Sequence, residues 1–132
     1  MKTFFLSTLL LTIIIFNSFT LPTKLLENLE LNDEQKKEIE HIMVENELKI
    51  EELLIDLQIK QYELKKLLLN DNVKKEDLKN ALLDIAGIEA EIRYLKYVLE
   101  LDILKILDNG QKMKYKIYKI NNEKDLREKK EQ

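Results

Sequence analysis

Leu31-Asn32-Asp33-Glu34-Gln35 opens one helix, and Leu107-Asp108-Asn109-Gly110-Gln111 opens another 76 residues later. In each stretch a leucine precedes a capping residue, Asn32 or Asp108, and a glutamine follows three places on. The capping oxygen can accept from a backbone N–H two or three residues ahead, while the glutamine reaches back to the cap's own N–H, which makes a capping box. From Asp33 to about Leu69 there is neither Gly nor Pro, which predicts one helix of some 37 residues, about 55 Å long. Asn70-Asp71-Asn72 then breaks it, because Asn and Asp favour turns over helix interiors. A second helix is expected from about Lys74 to Leu107, weakened inside only by Gly87, at roughly 1 kcal/mol against Ala. Two long helices joined by a short polar turn read as an antiparallel hairpin, followed by a short C-terminal helix: an all-α chain.

The composition agrees. Charged residues make up 36 % of the chain and hydrophobic ones 45 %, with two glycines and one proline, so turns are few and helix formers abundant. At 132 residues one domain is the ceiling. The formal charge is −3, which excludes a general nucleic-acid binder, since phosphate contacts need clustered Lys and Arg. No cysteine is present, and with it go a disulfide framework, a thiolate metal site and a lipoprotein anchor.

Residues 1–20 stand apart. Lys2 precedes an uncharged, mainly apolar stretch from Phe4 to Phe16, followed by Asn17-Ser18-Phe19-Thr20, the pattern of a secretory signal peptide. Ser18 and Thr20 suit a cleavage site only poorly, and the rival reading is an uncleaved membrane anchor. An apolar core this short is marginal for a span of about 20 residues. Either way the expectation is export, to the periplasm. Residues 21–32 are a lead-in, with Pro22 discouraging helix before it.

At 100° per residue the long helices each carry two apolar stripes. In the first, Ile39, Met43, Ile50, Leu53, Leu57, Leu64 and Leu68 form the strong stripe, and Val44, Leu48, Ile55, Ile59 and Tyr62 lie nearly opposite. In the second, Leu78, Leu82, Ile85, Ile92, Leu99, Ile103 and Leu107 are strong, against Leu83, Ala90, Tyr94, Tyr97 and Leu101. A lone hairpin can bury one stripe per helix. The other must meet a second chain, a third helix, a client or water, and a patch of that size in water is a liability.

Lys112 to Ile120 alternates like a strand, and Asn109-Gly110 is a hairpin-turn signal. The capping box and the helical set Met113, Ile117 and Ile120 favour helix. Residues 121–132 are charged and nearly free of apolar side chains, and are expected to fray or stay disordered.

The pair of Leu-cap-x-x-Gln boxes behind a secretory leader resembles the paired motifs of the Spy/CpxP family, and the similarity spans about residues 29 to 120. The resemblance implies a helical domain over 33–120 that dimerises into a thin, curved cradle. It implies an ATP-independent chaperone holding unfolded or partly folded envelope proteins, with relatives that serve as stress-response regulators docking on a membrane sensor, or as metal sensors. Leu31, Asn32, Gln35, Leu107, Asp108 and Gln111 would be the motif residues, bringing the helix ends together. Asn32 and Asp108 stand where the family has Thr, and Gly110 where it has an acidic residue. The family's cradle is rich in basic side chains, whereas residues 33 to 69 here are predominantly acidic.

Other chemistries find little support. His41 shares a helical face with Glu38 and Glu45, but one His without Cys gives too few ligands for a zinc site. The Lys112–Lys119 run could meet acidic lipid headgroups or an acidic client, or simply be solvated. No Ser/His/Asp order, Gly-rich phosphate loop or dedicated carboxylate pair occurs, so neither an enzyme nor a cofactor is expected. The apolar candidates for client or partner binding are Val44, Leu48, Ile55, Ile59, Tyr62, Leu83, Tyr94, Tyr97 and Leu101. The alternatives to a chaperone are a stress-signalling accessory or metal-responsive sensor, and a helical-hairpin surface adhesin or assembly subunit.

Overall fold

The computed structural model describes residues 23–130; the expected signal peptide over 1–20 and the last two residues of the tail lie outside them. Four α-helices make up the described chain, α1 Thr23–Asn28, α2 Asp33–Leu68, α3 Lys75–Ile106 and α4 Asn109–Lys130, with no strand among the described residues. Over this span the protein is all-α. No helix among the described residues is long and apolar enough to cross a membrane.

Local signals set the boundaries. Asp33 and Glu34 occupy the first turn of α2 and Lys65 and Lys66 its last, the charge order that suits the helix dipole. Glu76, Asp77 and Lys105 do the same for α3. Between the two, the N–H of Leu69 donates to Lys65 O at 3.2 Å and that of Asn70 to Leu67 O at 3.1 Å. The Asn72 N–H then donates to Asn70 Oδ1 at 3.2 Å, an Asx turn.

Three features add to or differ from the expectations. Within the lead-in, residues 23–28 form α1. Leu25 and Leu29, four apart and therefore on one face, are both buried. Glu30 stops this helix in the left-handed region at φ 53°, a C-terminal role usually given to Gly. Second, α4 continues into the charged tail as far as Lys130. Residues 121–130 contain no Gly or Pro, and the helix runs on through Asn121-Asn122. Third, Leu68 and Leu82 belong to the strong stripes yet are more than half exposed. Leu68 is the last residue of α2, and Leu82 lies at the edge of its stripe, about 50° from the centre.

The described residues group into two compact units, a terminal one of residues 23–35 with 107–130 and a central one of 36–106. In the terminal unit α1 packs against α4, and Leu25, Leu29, Leu31, Leu107 and Tyr115 are buried. In the central unit the buried side chains are Ile39, Asn46, Ile50 and Leu57 of α2 and Ile92, Leu99 and Ile103 of α3. All the apolar ones come from the strong stripes. Polar contacts join α2 to α3: Asn46 Nδ2 donates to Leu95 O at 3.1 Å, and Lys60 lies 4.0 Å from Asp84.

Candidate functional site

Both capping boxes form in full. The Gln35 N–H donates to Asn32 Oδ1 at 2.8 Å and the Asn32 N–H to Gln35 Oε1 at 3.1 Å. In the second box the Gln111 N–H donates to Asp108 Oδ1 at 2.8 Å and the Asp108 N–H to Gln111 Oε1 at 3.0 Å. The two glutamines then meet. Gln35 Nε2 donates to Gln111 Oε1 at 2.8 Å and Gln111 Nε2 to Gln35 Oε1 at 3.1 Å, a reciprocal amide pair that ties the start of α2 to the start of α4 within the terminal unit. The second Nε2 hydrogen of Gln111 goes to Leu29 O at 3.2 Å.

Each box fixes which way its amide points. Swapping oxygen for nitrogen would set a donor against the cap's own N–H, so only one orientation of the pair satisfies both boxes. Leu31 and Leu107, the residues before the two caps, are buried beside this network, as is Gln111 itself. At the rim Lys114 Nζ donates to Glu30 Oε2 at 3.2 Å, an exposed pair of small energetic weight. All six motif residues named from the sequence thus fall in one unit. The sequence did not reveal the third partner, the Leu29 carbonyl, or the burial of Tyr115. The one available signal for Tyr115 is its place four residues beyond Gln111, on the same face of α4.

The second stripes present a different kind of surface. Val44, Leu48, Ile55, Ile59 and Tyr62 of α2 and Leu83, Tyr94, Tyr97 and Leu101 of α3 are all 50–66 % exposed. Glu51 and Glu52, both exposed, interrupt the α2 stripe. Both stripes lie in the central unit. Near them Lys60 is held above the usual lysine range, chiefly by its hydrogen bond to Glu63, while burial pulls Lys96 below it. The hollow between Lys60, Glu63, Leu67, Asp77, Asn80, Ala81 and Asp84 is charged and open, unlike the enclosed, mostly apolar pockets that hold small ligands.

No cluster of three or more His, Asp or Glu side chains among the described residues is placed to hold a metal ion. His41 is exposed, and Glu45 pairs with Lys49 at 3.1 Å. No protein-family model, curated protein or solved structure matches the chain at a significant level.

Proposed function

We propose that the protein is an exported, ATP-independent holding chaperone of the Spy/CpxP type. In this reading α2 and α3 form an antiparallel hairpin that pairs with a second copy, and partly unfolded envelope proteins bind its outer apolar stripes. The observation that carries it is the exposed double stripe of α2 and α3, nine large apolar side chains on helices whose stronger faces supply the buried apolar residues. Apolar surface of that extent has a partner to meet. The glutamates set into it keep any single contact small, as reversible holding requires. Two pairings support the hairpin, residue 46 with 95 and residue 60 with 84, because partners that advance on one helix and retreat on the other indicate opposite directions. The family resemblance rests on the twin boxes, whose glutamines bond to each other. Such a protein needs no nucleotide, because mass action on unfolded chains is enough.

The test is suppression of light scattering from two unrelated aggregating clients, comparing the native chain with an Ile55→Ser/Ile59→Ser variant. Removing two anchors of about 1.5–3 kcal/mol each is expected to lower holding activity several-fold while helicity and Tm change little. A variant that unfolds or loses self-association would make the stripe a core or an interface. Full activity in a folded variant would place the clients elsewhere. One tight partner without general holding would identify a signalling accessory, and concentration-dependent filaments an assembly subunit.

A further inference from the structure

Beyond the holding role, the outer face of α4 has the composition of a membrane-surface helix. Gln111 and Tyr115 are turned inward and buried, whereas Met113, Ile117 and Ile120 are all more than half exposed. At 100° per residue these three fall within about 60° of one another, a narrow apolar ridge. Lys116 borders the ridge on one side, and Lys124 and Arg127 continue its line; all three are exposed. Lys114 flanks the other side but is engaged by Glu30. From Asn109 to Asn122 there is no acidic residue, and over the whole of α4 eight basic residues stand against Glu123, Asp125 and Glu128, in a chain whose formal charge is −3.

We infer that this face of α4 docks on an anionic lipid surface, with Met113, Ile117 and Ile120 entering the headgroup boundary and Lys116, Lys124 and Arg127 meeting lipid phosphates. The apolar ridge flanked by long cationic side chains is the arrangement of an interfacial helix, because lysine stems lie along apolar material while their ammonium groups stay in the polar layer. Lipid fits better than an acidic protein face. Seven of the eight basic residues of α4 are lysines, point charges suited to a diffuse anionic surface, whereas carboxylates at a protein interface favour the forked guanidinium of arginine.

The test uses the full chain and vesicles of equal parts phosphatidylglycerol and phosphatidylcholine, against phosphatidylcholine alone. Since the chain has no cysteine, Ile117→Cys can carry an environment-sensitive dye that reports on this face whatever the apolar stretch Phe4–Phe16 does. The dye is expected to shift to the blue only with the anionic vesicles, and to revert as salt rises from about 50 to about 500 mM, where charges are screened. The same dye at Asp125→Cys, away from the ridge, should not respond. Lys116→Gln/Lys124→Gln, both at exposed positions that leave the fold intact by circular dichroism, should weaken binding to the anionic vesicles roughly 25-fold, at about a factor of five per lysine. A shift indifferent to lipid charge, an equal shift at both dye positions, or undiminished binding by the double variant overturns the proposal. So does a dye response to polyglutamate with none to anionic vesicles, which would assign the face to an acidic protein.

Discussion

Gln111 uses its whole side chain: Oε1 accepts from Asp108 N–H and from Gln35, and Nε2 donates to Leu29 O and back to Gln35. Truncation leaves buried groups unpaired, so Gln111→Ala is expected to cost about 2–3 kcal/mol, with Gln35→Ala nearer 1 because its box is exposed. If the amides bond to each other, a double-mutant cycle read by urea unfolding will show a coupling of about 0.5–1.5 kcal/mol; strictly additive losses would mean two independent caps. Asn46 is the opposite case. Its Nδ2 donates to Leu95 O, but its buried Oδ1 has no partner. Leu95 O, inside α3, keeps its own helical donor, so Asn46→Leu strands nothing and removes the orphan acceptor. A rise in stability of about 1 kcal/mol is expected, whereas Asn46→Asp, which buries a charge beside a carbonyl, should destabilise strongly. A polar group kept at this cost is the usual means of fixing one register between two helices. A loss of stability in the Leu variant would contradict that account.

Among the elements, α3 carries the clearest local defect. Gly87 lies in its interior, and a Cβ added there would meet nothing within 4 Å. Gly87→Ala should therefore stabilise by about 1 kcal/mol through propensity alone, seen as a higher Tm with unchanged helicity; no gain would mean that the position has a hidden neighbour. The elements also differ in how far they could be read from sequence. The ends of α2 and α3 agree with expectation to within a residue, because the Asn70-Asp71-Asn72 break and the Asp108 cap act through neighbouring backbone. α1 was not legible. A six-residue segment is too short to form a helix on its own, and this one depends on packing against α4. The alternation of Lys112–Ile120 suggests a strand by period, but the capping box at its start decides for helix.

For the whole molecule, two stripes on each long helix lead to an assembly prediction. Sedimentation at micromolar concentration is expected to show a dimer; a monodisperse monomer with no concentration dependence would remove the homodimer from the proposed function. The sequence by itself determined the helical state, the turn, both capping boxes and the division of each long helix into two apolar faces. All of these follow from interactions within about four residues or from a 100° period. Only the tertiary structure decided that Gln35 and Gln111 bond to each other, that the Leu29 carbonyl completes their network, that Asn46 and Tyr115 are buried, and that Met113, Ile117 and Ile120 face outward. Those outcomes depend on which residues far apart in the chain become neighbours, and local preference carries no record of that.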